Sequence, residues 1–448
     1  MKIIIAGAGE VGTFLTKMLS DGNHDIVVID TNEEKLRMIE SNFDVLTVKG
    51  SASSLKVLKD AQISKTDIFI AITELEEMNL TASILAKHLG AKLTVSRVNN
   101  HEYIEAESQQ YFHTLGIDHL IYPEILGARE VVSLLRQSGN AKIYDFSEGK
   151  LSLVVLKLSD GASIVGKTLK QATAENPRYD YRAVAITRGG KTIIPTGDDI
   201  FLSGDMAYII STPEGMSNLL NYTGKEQFQV NNIMILGGSR IGKKTAQELE
   251  KYINIKMLEI DSEKCESLAE ELTKTLILNT NGRDIDVMIE EGIVKMDAFV
   301  AVTGNSETNI LSCIYAQKLG VKKTIAEIEN MDYIDLAENM GIHTIINKKR
   351  IAASRIFSFA MNYQKVDVQI EFLNGTDAEI LDFIVHEGSK ITTRRLKNLD
   401  FPEGAIIGGI IRGSKGFIAT GNMRIEPDDH VIMFAKPQVV DLAASFFI

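Results

Sequence analysis

The chain has 448 residues, 44 % hydrophobic and 24 % charged, with a formal net charge of −12. That length suits about three domains at roughly 150 residues each, and the composition is that of a soluble globular protein. The acidic balance excludes a nucleic-acid binder held by a basic surface, and no apolar run approaches the ~20 residues of a membrane helix. Two cysteines, Cys265 and Cys313, are too few for a disulfide framework and suit a reducing compartment. Lys2 followed by IIIAGAG is too short a stretch for a signal peptide, so a cytoplasmic protein is expected.

The first predicted strand, KIIIAG, runs straight into Gly7, Ala8, Gly9, Glu10, Val11 and Gly12, a G-x-G-x-x-G pattern. Glycines at this spacing provide a tight turn, close backbone approach to a phosphate, and close packing of helix on strand. A helix beginning near Val11 offers free N–H groups and the positive end of its dipole to an anion. The next strand ends VVID, placing Asp30 eighteen residues (30 − 12) beyond Gly12. A carboxylate there accepts from ribose hydroxyls and repels a 2′-phosphate, so NAD(H) or ATP/ADP fits better than NADP.

Three further strands follow, each with polar residues where its carboxyl end should lie. FDVLTV leads to Gly50, Ser51, Ala52 and Ser53, which are expected on the adenine side. DIFIAI leads to Thr73 and Glu74, with Asn79 opening the next helical stretch. KLTVSRV carries Arg97, whose guanidinium suits a pyrophosphate. Short, near-continuous apolar strands separated by helical spacing predict an α/β module, a doubly wound parallel sheet that binds a dinucleotide.

A strand-rich stretch, YRAVAITRGGKTIIPTGDDIFLSGDMAYII, predicts a small α+β module over 140–224, and NYTGKEQFQVN at 221–231 reads as a linker. Then the chain repeats itself. NNIMILGGSRIG echoes the opening, with Gly237 on Gly7, an offset of 237 − 7 = 230. The same offset carries Thr73 onto Thr303, Asn79 onto Asn309 and Tyr103 onto Tyr333, so a second large module is expected. A second small module follows, with GAIIGGIIRGSKGFIATGNMRIEPDDHVIMF matching the first. The expected layout is 1–135, 140–224, 230–360 and 365–448.

The second loop reads Gly237, Gly238, Ser239, Arg240, Ile241 and Gly242, with serine in place of the middle glycine. Glu259, in KMLEID, takes the place of Asp30 with one residue of slippage, and Glu327 stands opposite Arg97. Arg240, on Glu10, is a candidate source of the positive charge that Glu327 removes. Two readings stay open: a site of different or weaker nucleotide affinity, or a structural copy. No Ser-x-x-x-Tyr-x-x-x-Lys pattern, zinc spacing or thiolate-activating motif is present, and eight histidines lie scattered. An NAD-dependent oxidoreductase is therefore the weaker reading, and neither catalytic nor metal-binding residues are assigned.

KIIIAGAGEVG, VVID, KGSAS, AITELEEMNLTASILAKHLGA, GGSRIG and AVTGNSETNILSCIYAQKLG, with the C-terminal stretch above, together resemble the Trk potassium-uptake regulatory subunits. These are tandem RCK (regulator of potassium conductance, or KTN) proteins, and the resemblance spans essentially the whole chain. It implies Rossmann-like RCK-N modules alternating with RCK-C modules, a non-enzymatic subunit on the inner face of the cell membrane, and NAD(H) and ATP or ADP as ligands. It also implies a homo-oligomeric gating ring, as dimer or tetramer, beneath a membrane potassium-translocating subunit of the Trk type. Carried onto this sequence, the family's contacts fall on residues 7–12, Asp30, Ser51, Ala52, Thr73, Glu74 and Arg97, and on residues 237–242, Glu259 and Thr303. Ser239 and Glu327 depart from the pattern and leave the second ligand open.

Overall fold

The computed structural model describes all residues except 21–23, 137–141, 148, 176–180, 190, 223–227, 343, 364–367, 373–377 and 448. Ile3, Ile4, Ile5 and Ala6 of strand β1 (Lys2–Ala6) are fully buried, as an unbroken apolar run requires in a sheet covered on both faces. The chain then alternates through α1 (Glu10–Ser20), β2 (Asp25–Asp30), α2 (Glu33–Asn42), β3 (Leu46–Lys49), α3 (Leu55–Asp60) and β4 (Ile68–Ala71). It continues with α4 (Glu76–His88), β5 (Leu93–Arg97), α5 (Ala106–Thr114), β6 (His119–Ile121) and α6 (Pro123–Arg136). All pairings are parallel, in the order β3-β2-β1-β4-β5-β6. The order reverses between β1 and β4, which opens a crevice at their carboxyl ends. The sequence predicted five strands here; β6, only three residues long, is too short to show a period.

The first small module has β7 (Lys142–Phe146), β8 (Leu151–Lys157), α7 (Leu169–Ala174), β9 (Tyr181–Arg188), β10 (Lys191–Ile193), β11 (Met206–Ser211) and α8 (Pro213–Tyr222). Its sheet is antiparallel, in the order β10-β9-β11-β8-β7. The predicted linker at 221–231 includes residues 223–227, which lie outside the described residues.

The second large module repeats the first as β12 (Asn232–Leu236), α9 (Arg240–Leu249), β13 (Asn254–Glu259), α10 (Ser262–Glu271), β14 (Leu276–Asn279), α11 (Ile285–Glu290) and β15 (Ala298–Ala301). It closes with α12 (Ser306–Lys318), β16 (Lys323–Glu327), α13 (Asp332–Asn339), β17 (Ile345–Ile346) and α14 (Lys348–Tyr363). Its strand order, β14-β13-β12-β15-β16-β17, is that of the first sheet. β18 (Val368–Phe372) follows, and the last module carries β19 (Glu379–Ile384), β20 (Ala405–Arg412), β21 (Lys415–Ile418) and β22 (His430–Ala435), paired antiparallel in the order β19-β22-β20-β21.

The R-G and x-D turns shared by the small modules have one cause. Arg188 donates from Nε and Nη2 to the two carboxylate oxygens of Asp205, at 2.8 Å each. Arg412 does the same to Asp429, at 2.8 and 2.7 Å. Both aspartates are about 1 % exposed, and a planar guanidinium matches a carboxylate in both bonds at once, fixing the turn before the last strand.

The chain divides into two compact units: Met1–Leu126 with Lys348–Phe372, and Gly127–Asn347 with Leu373–Ile448. The first therefore takes α14 from the second half of the chain. There α14 packs on α1, with Lys349 Nζ 2.7 Å from Glu10 Oε2, Arg350 over the ring of Phe14, and Phe359 stacked on His119 at 4.0 Å. The second unit takes most of α6 from the first half. Lys323 of β16, 3 % exposed, donates to the carbonyl of Leu134 in the last turn of α6 at 2.5 Å. A cation at a helix C-terminus meets the negative end of its dipole, while burial pushes the Lys323 ammonium down to about 8. In this unit the small sheets share one core, in which Leu151, Val184 and Ile210 join Ile411, Ile432 and Phe434. Side chains would block that approach: a Cβ on Gly416 would stand 2.1 Å from the Lys150 carbonyl oxygen.

Candidate nucleotide sites

The first glycine loop joins β1 to α1 at the sheet's switch point. Gly7 has φ of +120°, donates to the Ile29 carbonyl at 2.8 Å, and abuts the backbone of Ile72 and Thr73. A Cβ on Gly12 would lie 1.9 Å from the Gly7 carbonyl oxygen, so helix and strand approach there as only glycine allows. Gly9 is different: a Cβ built on it meets nothing within 4 Å. The space above the loop is open, at the position where a phosphate needs the backbone. Gly9 caps α1 through its carbonyl, which accepts from Thr13 N at 2.8 Å, and has no side chain to take the first-turn N–H groups. Val11 is buried, so only its backbone can face the crevice, whereas Glu10 is exposed beside Lys349.

Asp30, at the end of β2, fixes the loop. Its carboxylate accepts from Ala8 N at 2.6 Å and from Asn32 N at 2.8 Å. Beside it, Gly50 N donates to the Asp30 carbonyl at 2.9 Å, Ser51 Oγ lies 3.0 Å from Ser53 Oγ, and Ala52 is buried. Thr73 and Glu74 leave the carboxyl end of β4, as expected. Asn79, expected among the ligand contacts, plays another part. It is 1 % exposed, its Oδ1 accepts from Thr73 N and Oγ1 at 2.8 and 2.7 Å, and its Nδ2 donates to the Thr73 and Arg97 carbonyls. With both ends of its amide bonded, Asn79 ties β4 to β5 and positions Thr73.

The segments leaving β5 and β6 carry three buried polar atoms without partners among the described residues: Arg97 Nε, Asn99 Oδ1 and Glu124 Oε2. Unsatisfied buried polar groups are costly and uncommon, and they suit a polar ligand that completes them. Glu124, in the first turn of α6, escaped the sequence reading, as did Asn99; neither stands in a motif.

The second loop is the same construction with exchanged sizes. Gly237 has φ of +104° and donates to the Leu258 carbonyl at 2.9 Å; a Cβ on Gly242 would meet the Gly237 oxygen at 2.3 Å. Glu259 accepts from Gly238 N at 2.8 Å, as Asp30 does from Ala8 N, so the one-residue slippage leaves the bond in place. The longer carboxylate needs the smaller residue: a Cβ on Gly238 would lie 2.4 Å from Leu268 and 3.1 Å from Glu259 Oε2. Ser239 Oγ accepts from Gly242 N at 3.3 Å, occupying a helix N–H for which Gly9 has no counterpart acceptor. Ile241 is buried, Arg240 is exposed in the first turn of α9, and Glu327 is buried. Thr303 is held by Asn309 as Thr73 is by Asn79.

Among the described residues, no group of His, Cys, Asp and Glu is placed to hold a metal ion, and no helix is long and apolar enough to cross a membrane.

Family models match both halves of the chain: the TrkA-N domain over residues 3–123 and 233–348, and the TrkA-C domain over 153–224 and 380–448. The chain belongs to the TrkA family. Among its TrkA relatives, the Trk system potassium uptake protein TrkA of Vibrio alginolyticus is 32 % identical, over 100 % of this chain and 98 % of its own. A TrkA homolog of Archaeoglobus fulgidus is also 32 % identical, over the full length of both. Of solved structures, the GsuK RCK domain aligns over 99 % of this chain and 95 % of its own, with TM-score 0.59 and 15 % identity. The GsuK channel bound to NAD aligns over 99 % and 79 %, with TM-score 0.58 and 15 % identity. GsuK bound to ADP aligns over 81 % and 69 %, with TM-score 0.50 and 12 % identity. These likenesses show that this chain shares the fold of the GsuK RCK domain.

Proposed function

We propose that this TrkA-family chain is the nucleotide-sensing regulatory subunit of a potassium-uptake system. It binds NAD(H) and ATP or ADP in the two glycine-loop crevices, and it acts from the inner face of the cell membrane on a Trk-type translocating subunit. The reading includes four functional modules, at 1–135, 140–224, 230–360 and 365–448, and assembly of several copies into a gating ring. One observation carries it: the chain keeps two loops that share the first and last glycines and the acidic clasp, yet equips them differently, with Gly9 in one and Ser239 in the other. The names of the full-length relatives and the NAD- and ADP-bound neighbours agree with it.

At the first site the diphosphate sits over Gly9 on the N–H groups of residues 10–12, Asp30 takes the ribose hydroxyls, Ser51 and Ala52 flank the adenine, and Arg97 meets phosphate. At the second, Arg240 and the loop amides take the phosphate, Glu259 the ribose, and Thr303 the far side. A nucleotide shifts gating only by its difference in affinity for the open and closed forms of the assembly. A tenfold difference per site is about 1.4 kcal/mol, and repeated sites in a ring add up. The chain works as a switch and not as an oxidoreductase.

The test is co-purification with a multi-span potassium-translocating protein, with and without NADH and ATP, alongside calorimetry of both nucleotides. Nucleotide-dependent capture and saturable binding support the reading. Steady NADH turnover, or no nucleotide binding by the folded chain, overturns it.

A further inference from the structure

We propose that the last small module carries a docking surface for a bilayer rich in anionic phospholipid, built from Lys390, Arg394, Arg395, Lys397 and Arg424. The choice of a bilayer as partner rests on the membrane-side placement in the proposed function. All five residues are exposed, and they lie on two adjoining stretches. Lys397 N donates to the Gly421 carbonyl at 2.9 Å, and Leu396 N donates to that of Met423 at 3.0 Å. Arg424 adds a side-chain tie, with Nε donating to the Thr392 carbonyl at 3.0 Å and Nη2 to that of Thr393 at 3.3 Å. The two stretches thus gather the cations into one patch.

These charges are not neutralised from within the fold. Among the described residues none of the five stands in an ion pair, and Glu387 and Asp400 flank the first stretch without pairing to any of them. Glu426 and Asp429 are taken by Arg412, at 2.7 Å each. The field of exposed charges reaches roughly a Debye length, ~8 Å at physiological salt. A local cluster therefore attracts anions although the chain as a whole carries −12.

The internal repeat supplies the control. The bridge between Thr168 and Ile200 recurs between Arg395 and Arg424, giving offsets of 395 − 168 = 227 and 424 − 200 = 224. Residues 163–170 and 196–201 of the first small module carry two cations, Lys167 and Lys170, against two carboxylates, Asp198 and Asp199. Lys170 is paired with Asp198 at 2.8 Å, and Lys167 with Glu175 at 2.7 Å. The counterparts, 390–397 and 420–425, carry five cations and no carboxylate, with Asn422 and Met423 in place of the two aspartates. The backbone tie is the same in both copies, since Lys170 N donates to the Gly197 carbonyl at 2.9 Å as Lys397 N does to that of Gly421. One scaffold holds a balanced surface in the first copy and a basic one in the second, so the fold does not demand the charge.

Clusters of about four to eight Lys and Arg beside a membrane attract anionic lipid headgroups. A bilayer fits better than an acidic peptide because an exposed apolar side chain is tied to the same stretch. The short helix α15 (Val440–Ala444) carries Leu442, 57 % exposed, one turn before Phe446, whose carbonyl accepts from Ile391 N at 2.8 Å. Cations beside an exposed leucine suit the bilayer interface, where headgroups take the charge and the acyl boundary takes the side chain.

The experiment is co-sedimentation of the full-length chain with vesicles of equal parts phosphatidylglycerol and phosphatidylcholine, against vesicles of phosphatidylcholine alone. The chain should bind only the anionic vesicles and release them as salt is raised. Arg394→Glu with Arg395→Glu should weaken binding about tenfold or more. Lys167→Glu with Lys170→Glu changes the net charge equally and should leave binding near that of the wild type. Melting temperature checks that each variant is folded, and the milder pair Arg394→Gln with Arg395→Gln should still weaken binding should the glutamate pair not fold. No binding to anionic vesicles, equal binding by wild type and the arginine variants, or equal loss from the first-module pair overturns the proposal. Binding of polyglutamate through the same arginines, in place of vesicles, also overturns it and assigns the patch to an acidic protein segment. Vesicle binding needs neither nucleotide nor translocating subunit, so calorimetry with NADH and ATP on the same samples reports separately on the nucleotide reading.

Discussion

Gly9→Ser grafts the second loop onto the first and separates folding from binding. A Cβ at Gly9 meets nothing within 4 Å, so the serine fits, and Ser239 shows the rotamer to expect, with Oγ on the N–H three residues on. Replacing glycine by serine at a helix N-cap changes stability by only a few tenths of a kcal/mol. The same hydroxyl, however, takes the Gly12 N–H and crowds the phosphate. A hydrogen bond to a charged group is worth about 1.5–3 kcal/mol, so affinity falls roughly 10- to 100-fold. Calorimetry with NADH and with ADP, in a Glu259→Ala background that weakens the second loop, reads the first site. Differential scanning fluorimetry should find the melting temperature unchanged or slightly raised. Gly12→Ala should do the reverse in stability, since its Cβ would stand 1.9 Å from the Gly7 oxygen and overpacking of this kind costs about 1–3 kcal/mol. Wild-type binding of both nucleotides by Gly9→Ser, or a Gly12→Ala variant that melts no lower than Gly9→Ser, would refute this assignment of steric roles.

Asp30→Ala removes the acceptor of two backbone N–H groups, so it should abolish nucleotide binding at the first loop and destabilise the chain by about 1–3 kcal/mol, as denaturant titration would show. Arg97→Ala and Glu124→Gln should weaken nucleotide at the first site and leave the second unchanged; equal loss at both would refute the asymmetry. His119 gives a pH dependence. Burial among the ring of Phe359 and nearby cations holds its pKa below the ordinary histidine value, so the unfolded chain binds the proton more readily. Stability should therefore fall as pH drops below about 6.5, the ordinary histidine value, and His119→Phe should flatten that slope in pH-resolved melts.

The sheets were legible because buried parallel strands need continuous apolar runs, and the loops because three glycines have three separate steric duties. The repeat then carried the first site onto the second, down to Glu259 for Asp30. What the letters hide is who already has a partner. Asn79 stands where a ligand contact belongs, but its amide is saturated by Thr73 and the Arg97 carbonyl. Glu124 and Asn99 became visible only through unsatisfied atoms, and the trade of Ala8 with Asp30 for Gly238 with Glu259 is a packing relation between residues 21 or 22 positions apart. Nor does any local pattern say that α14 packs on α1, since a helix's partner is a tertiary property.

That helix exchange makes the two halves of the chain mutually dependent. A polypeptide severed near residue 228 gives an N-terminal piece lacking α14, which its own sheet packs against, and a C-terminal piece lacking the α6 turn that receives Lys323. Each fragment holds the missing part of the other. Expressed alone, each should lose the packing its missing helix supplies, and co-expression should restore it. The gene's duplication is therefore no longer divisible: the halves resemble one another in sequence, but neither remains a whole protein.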